Sequence, residues 1–367
     1  MNIIYLLIIL LIILLLVIFY NCSNEKFTSY TSTLQASLNT IIGNTSTTIV
    51  KLSDTNTTNV RKLIGNSNQT IVLIHNSPFD QQIWYPLFAY TQQLVNMGLE
   101  IPTLICYDLT GHGTSWEPVP SEYNTFDKNK YYWSIQNFTK DLKTIYDETV
   151  GGGKITLVGY GFGCLVGIQF ALDFKNLVDG LYILNNAIGP TETTILDEYN
   201  YLVNWINTAS KNITYLTMDQ PFIQHRICLW FELNDITKCP YQENRTDTNN
   251  VYNSVEYLLA EKMMREASAT THLQIGKLER TLDYRKPLAD ANLNFPITQL
   301  IAERDVYTNV RDMKNDFNMY LKKATGNATL YITSGKHGFP LSYPSYIYDL
   351  ITGKDMSSNR LTIEKMT

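Results

Sequence analysis

Cysteine is scarce in this chain. Five in 367 residues are too few for the disulfide scaffold that small secreted folds rely on. Charge of one sign is scarce as well: 29 Lys and Arg against 34 Asp and Glu leave a net charge of −5, which supplies no basic field for nucleic acid. Histidine occurs only five times, with no HExxH, CxxC or carboxylate cluster beside it, so neither metal nor other cofactor is expected. Intrinsic disorder is excluded by a composition 44% hydrophobic and only 17% charged. The length fits one large domain with an insertion, or two domains.

What the chain does have is one long apolar run. Residues 3–20, IIYLLIILLIILLLVIFY, carry no charge, and about 20 helical residues span the hydrocarbon of a bilayer. A cleaved signal peptide is the rival reading, but no Lys or Arg precedes the run and Phe19-Tyr20-Asn21-Cys22 is a poor cleavage site. An uncleaved single-pass anchor is the expectation. Only Glu25 and Lys26 flank it, which leaves the orientation open. Eight N-x-S/T triplets, among 33 Asn, exceed the roughly five expected by chance and permit a lumenal or external, glycosylated body. Cys228 and Cys239 can pair under oxidising conditions, and the odd total leaves at least one thiol free.

The body alternates short apolar runs with helical patterns. Thr70–His75, Thr103–Asp108, Ile155–Gly159, Leu181–Asn185, Ile297–Ala302 and Thr329–Thr333 are continuous rather than alternating, as strands buried on both faces of a parallel sheet require. Trp84, Leu87, Phe88 and Leu94 suit a helix closed by Gly98, and Ile135, Phe138, Leu142 and Ile145 suit another ending at Gly151-Gly152-Gly153. The repetition predicts a doubly wound α/β domain. Residues 190–290 break the rhythm, with apolar residues at helical spacing (Leu202, Ile206, then Leu258, Leu259, Met263), and read as a helical cap. The expected organisation is anchor 1–22, polar stalk and edge region 23–60, core 61–189, cap 190–290, core 291–353 and a loosely held polar tail 354–367.

One strand runs directly into Gly159-Tyr160-Gly161-Phe162-Gly163 and then into an apolar helix. A sharp strand-to-helix turn flanked by glycines is the architecture of the nucleophile elbow, G-x-S-x-G, whose middle residue projects its side chain from a strained, positive-φ backbone. Here the middle residue is Gly161, which has the backbone freedom and no side chain. A dinucleotide-binding turn is the weaker reading of Gly159-x-Gly161-x-x-Cys164. Its last glycine is missing, and Asp179 precedes its strand instead of ending it.

Taken together, residues 65–352 resemble the α/β-hydrolase superfamily. His75-Asn76-Ser77-Pro78 stands where the family carries His-Gly-x-Pro, and Asp108-Leu-Thr-Gly111-His112-Gly113-Thr-Ser115 matches its D-x-R-G-x-G-x-S turn. The elbow, then Asp305 after the seventh strand, then His337 after the eighth, follow in the family's order. The resemblance implies that Asp305 and His337 occupy the acid and base positions, Gly161 the nucleophile position, and Ser77 and Phe162 the oxyanion-hole positions. Two departures matter: Gly161 for the nucleophile and Asn76 for the usual glycine.

In a complete triad the acid fixes the histidine tautomer and the histidine deprotonates the nucleophile. Loss of the nucleophile typically lowers turnover about a million-fold. The sequence therefore implies a pseudoenzyme binding a small apolar ligand or a partner; the alternative is an ester hydrolase in which His337 and Asp305 activate a water. Cys164 is expected to be buried and inert, Tyr160 to pack or bond locally, and Ser77 to offer its backbone amide rather than its hydroxyl. His75 and His112 read as structural, and His225 and His272 as ordinary cap residues. Restoring a hydroxyl by Gly161→Ser is expected to create reactivity if the site remains aligned.

Overall fold

The computed structural model describes residues 45–53, 56–115, 133–190, 200–206, 255–305 and 307–367, with isolated cap positions at 218, 222, 223, 226, 227 and 230. The proposed anchor at 3–20, Cys228, Cys239 and His225 lie outside the described residues. No described helix is long and apolar enough to cross a membrane.

Nine strands form one sheet: β1 (Ser46–Lys51), β2 (Thr57–Leu63), β3 (Thr70–Ile74), β4 (Thr103–Tyr107), β5 (Ile155–Tyr160), β6 (Val178–Leu184), β7 (Ile297–Ala302), β8 (Ala328–Thr333) and β9 (Thr362–Met366), in the order β1-β2-β4-β3-β5-β6-β7-β8-β9. The six strands from β4 to β8 in that order run parallel. They are the six apolar runs, and β5 is buried along its whole length. Antiparallel pairing occurs only at the two ends of the sheet, in β1–β2–β4 and β8–β9.

Helices cover the sheet. Between β3 and β4 comes α1 (Tyr85–Asn96), and between β4 and β5 comes α2 (Ile135–Thr149). Ser134 caps α2 by accepting from the Asn137 amide, and the helix buries Ile135, Phe138, Leu142 and Ile145 on one stripe. Burying those four side chains stabilises the packing by roughly 6–12 kcal/mol before chain entropy is subtracted. The next helix, α3 (Phe162–Asp173), is apolar nearly all round, as its position between sheet and neighbouring helices demands. Gly163 lets α3 approach β3, because a Cβ there would press on the Ile74 and His75 carbonyls.

Within the stalk-and-edge region the chain from Ser46 pairs with β2 as a hairpin at the edge of the sheet. Two expectations need adjustment. The sixth strand begins at Val178, three residues early, because a register shift at Ile155/Thr156 lets Asp179 bulge outward between paired apolar residues. The polar tail ends in β9, whose backbone satisfies the otherwise open edge of β8 while its side chains stay largely exposed. A polar edge strand looks like a loop to any reading based on hydrophobic runs.

The described part of the cap comprises residues 200–206, α4 (Val255–Glu266), α5 (Ala269–Glu279) and α6 (Arg285–Ala289). Beyond β7 lie α7 (Val310–Asp316), α8 (Phe339–Ser342) and α9 (Pro344–Ile351). β4 lies on one side of β3 and β5 on the other. Loops leaving β3 and β5 therefore diverge in opposite directions, which opens a crevice at the carboxyl ends of these two strands.

Candidate active site

Gly161 sits in that crevice at φ 52° and ψ −125°, between β5 and the first turn of α3. A side-chain-bearing residue adopts this conformation only under strain, and glycine adopts it freely. The turn is held at both ends: the Gly161 amide donates to the Leu184 carbonyl (3.1 Å), and the Asn186 side chain donates to the Gly161 carbonyl (2.8 Å).

Asp305 follows β7 and His337 follows β8, and the fold brings them together. His337 Nδ1–H donates to Asp305 Oδ2 at 2.9 Å, with both side chains nearly inaccessible at 4% and 0%. Asp305 Oδ1 accepts from the Tyr307 amide (2.8 Å), so the carboxylate is fixed by two donors. The carbonyl of His337 accepts from Tyr160 Oη (2.9 Å) and Asn185 Nδ2 (3.0 Å). Asn185 Oδ1 in turn accepts from the Ala302 amide (2.9 Å), tying the end of β6 to the end of β7. Tyr160 thus bonds across 177 positions of sequence, not locally as expected, because β5 ends facing the histidine loop.

The space that a side chain at position 161 would fill is taken by Asn76. A Cβ on Gly161 would overlap the Asn76 carboxamide, all three of whose terminal atoms lie inside the 3.0 Å that real Cβ contacts respect. The Phe162 amide donates to Asn76 Oδ1 at 2.8 Å, which fixes the orientation of the carboxamide. Its Nδ2 then points to His337 Nε2 at 3.3 Å. A carboxylate on Nδ1 and an N–H donor on Nε2 define one arrangement: the proton is on Nδ1 and Nε2 accepts. One amide group thus engages both His337 Nε2 and the Phe162 amide.

Beside this dyad lies a second polar cluster. His112 Nδ1–H donates to the Thr110 carbonyl (3.3 Å), so its Nε2 accepts the Ser77 hydroxyl proton (3.0 Å), and His272 Nδ1–H donates to Ser77 Oγ (2.8 Å). His75 Nδ1–H donates to the Asn76 carbonyl (3.0 Å) while its Nε2 accepts from the Leu109 amide (2.9 Å). Burial lowers His75 to about 4; burial and then His75 lower His112 to about 3; burial, then Arg226 and His112, lower His272 well below 6.5. All three stay neutral, and a base near 3 takes little of a serine proton at neutral pH. The Ser77–His112–His272 chain therefore pins cap helix α5 to the core. Ser77 uses its hydroxyl and His272 is a bonded, buried contact, which α5's sequence pattern alone does not disclose.

Aromatic rings enclose His337. Trp230, Tyr307 and Tyr160 lie 4.7, 4.8 and 5.2 Å from it between centroids. Trp230 donates its Nε1–H to Tyr307 Oη (2.7 Å) and accepts from the Gly338 amide (2.8 Å), so the cap holds the histidine loop directly. Cys164 is fully buried with its Sγ on the Leu184 carbonyl (3.4 Å), and burial pushes its thiol well above the usual range.

The sheet order, the elbow geometry and the acid–base pair can now be set beside known proteins. A family model described as the alpha/beta hydrolase fold matches residues 69–214. The chain has the α/β-hydrolase fold. Solved structures superpose over most of this chain. An esterase from Exiguobacterium antarcticum superposes with TM-score 0.60 at 14% identity, covering 84% of this chain and 100% of that one. An enol-lactonase from Burkholderia xenovorans gives 0.60 at 13%, covering 83% and 98%. A bacterial membrane phospholipase A gives 0.59 at 14%, covering 92% and 97%. At these identities the likeness is one of fold. Among curated sequences, an uncharacterized protein of Mycobacterium tuberculosis is 32% identical over 129 residues, or 35% of this chain and 32% of the relative. The chain thus spans about a third of the length of that relative, and a protein of Mycobacterium bovis matches identically.

Sequence reasoning missed Asn185, Asn186 and Arg226. The first two had a signal: an Asn pair directly after a buried strand, one of them at φ 49°, a conformation Asn tolerates better than most residues. Arg226 had a partial signal, since Phe222 and Trp230 stand four positions to either side of it, whereas Tyr307 is brought to it only by the fold.

Proposed function

We propose that this α/β-hydrolase-fold protein is a catalytically impaired member of its fold, tethered to a membrane through residues 3–20, which holds a small molecule between cap and sheet without turning it over. The observation that carries the reading is the exchange of side chains between two neighbouring loops: nothing at Gly161, and the Asn76 carboxamide in the vacated space. With Asn76 Nδ2 on His337 Nε2, the imidazole addresses an amide instead of a hydroxyl. With Asn76 Oδ1 on the Phe162 amide, that donor is already in use. The uncharged run at 3–20 supports the tether.

A second reading has one observation in its favour, the intact 2.9 Å bond between His337 and Asp305, which is the apparatus a water-activating hydrolase would use. The two readings part on short-chain nitrophenyl esters. The non-catalytic reading expects the full-length protein in detergent to hydrolyse them no faster than His337→Ala, and to take no fluorophosphonate label. Turnover that His337→Ala abolishes would establish the hydrolase instead. Extraction of membranes with alkaline carbonate tests the tether: the chain should stay in the pellet.

A further inference from the structure

We propose that the loops at the amino-terminal ends of β3 and β4 form a lipid-docking surface, by which the folded body rests on the bilayer that holds its tether. The inference rests on the tether in the reading above and extends it to the body. It does not depend on whether the site turns anything over.

Eight large hydrophobic side chains are exposed among the described residues, and four of them belong to this end of the sheet: Ile64 at 71%, Val95 at 37%, Met97 at 72% and Leu99 at 47%. Single exposed apolar residues are ordinary on a soluble protein, whereas a cluster marks an interaction surface. Ile64 and Val95 line one groove together with Thr45 and Ser46. The loop after β2 is bonded to the loop before β4: the Asn66 and Ser67 amides donate to the Ile101 carbonyl (3.1 and 3.0 Å), and the Ile101 amide donates to Asn66 Oδ1 (2.7 Å). The Leu99 amide donates back to the Leu94 carbonyl of α1 (3.1 Å). The apolar side chains are therefore carried on a braced surface.

The same bonds select the partner. These loop amides are satisfied within the protein, and so is that of Gly65, which donates to Thr103 Oγ1 (3.0 Å). A surface that presents apolar side chains and few unmet polar groups suits the hydrocarbon edge of a bilayer, which offers no hydrogen bonds in return. Charge supplies no other attraction: residues 64–69 carry none, and residues 97–102 carry Glu100 alone.

Connectivity places the surface. The chain enters the sheet at Thr45, whose hydroxyl accepts from Arg61 Nη1 (2.6 Å), and Ser46 pairs with Lys62. β2 runs antiparallel to β4 with Leu63 opposite Leu104. The entry point thus lies at the same end of the strands as Ile64 and Leu99, and residues 21–44 lead from it to the uncharged run at 3–20. Gly161 lies at the other end of β5, about 20 Å away along six residues. A body docked in this way turns its crevice toward water.

The test is photo-crosslinking of the full-length chain in phosphatidylcholine vesicles, with benzoylphenylalanine at position 97, 99 or 303 in turn. Glu303 follows β7 at the carboxyl end of the sheet and is exposed, so Glu303→benzoylphenylalanine is the reference. The Met97 and Leu99 replacements should give lipid adducts, read by mass, at roughly fivefold or more the reference yield. Added anionic lipid or high sodium chloride should leave those yields unchanged. All three positions are exposed, so Tm should stay within about 2 °C of wild type. Ile64→Asp with Leu99→Asp should cut the yield at position 97 roughly fivefold or more, with the chain still in the carbonate pellet. Equal lipid yields at all three positions, yields that fall with salt, or adducts only to residues 1–44 or to a second copy would overturn the proposal. Lipid adducts missing from a chain that stays in the carbonate pellet would remove the docking surface and leave the tether standing. Release by carbonate with the adducts retained would remove the tether and leave the surface.

Discussion

Introducing a serine hydroxyl at position 161 should fail on its own and succeed only when Asn76 is shortened. A serine Cβ at 161 would occupy the space of the Asn76 carboxamide. Overpacking of that kind costs about 1–3 kcal/mol, and a non-glycine residue at φ 52° costs about 1–3 more. Displacing Asn76 also breaks its bonds to Phe162 and His337, about 1 kcal/mol each. The sum is roughly 4–8 kcal/mol, comparable to the whole stability of a typical domain at about 5–15 kcal/mol. Gly161→Ser alone should therefore be largely unfolded, or melt at least about 10 °C low, and take no fluorophosphonate label. The double variant Asn76→Gly with Gly161→Ser keeps only the backbone strain, and regains the bond to His337 through the new hydroxyl. It should lose about 1–3 kcal/mol, melt roughly 2–12 °C low, and label in proportion to active protein. Asn76→Gly alone should fold and stay unlabelled. A stable, labelled Gly161→Ser single variant would refute the obstruction, and so would a folded double variant that takes no label.

Four further outcomes follow from the same structure. His272 is neutral when folded and near 6.5 when unfolded, so its share of stability is fully present above about pH 6.5 and is lost as pH falls. Between pH 6 and pH 4 the wild type should lose stability more steeply than His272→Gln in urea unfolding, and parallel slopes would refute this. Asp80, raised to about 7 by burial and then by Asp108, acts in the opposite sense. Its contribution is present below about pH 4 and lost as pH rises through 7, so Asp80→Asn should be more stable than wild type at pH 8 and lose that advantage near pH 4. Asn185→Gly keeps the positive-φ backbone and loses two bonds, for about 2 kcal/mol, whereas Asn185→Ala adds strain and should melt lower still. Cys106 and Cys164 should be alkylated only after unfolding, as peptide mapping would read directly, because both thiols are buried and held protonated.

The central sheet was legible because each parallel strand is buried on both faces and so is written as an unbroken apolar run, as in β3 and β5. Edge strands were not, since β1 exposes most of its side chains, β9 buries none fully, and both gain their order from backbone pairing. At the site, Asp305, His337 and Gly161 stood out because each follows a recognisable strand, and the fold brings all three together. The entry of the Asn76 carboxamide into the space beside Gly161 was invisible. It depends on the direction of one side chain across a crevice between strands that adjoin in space, with 86 positions between Asn76 and Phe162. The approach of Tyr307 to Arg226 is equally a product of tertiary packing, whereas Phe222 and Trp230 stand four positions to either side of it.

The amide at position 76 has a consequence for anything that visits this crevice. A visitor offering its own carbonyl to the Phe162 amide must compete with a rival that is covalently attached to the same molecule and already oriented. Groups preorganised in this way act at effective concentrations far above those any free solute reaches in a cell. Weak, transient esters therefore lose that contest, and the guests with an advantage are those that leave the amide alone and draw their affinity from another wall.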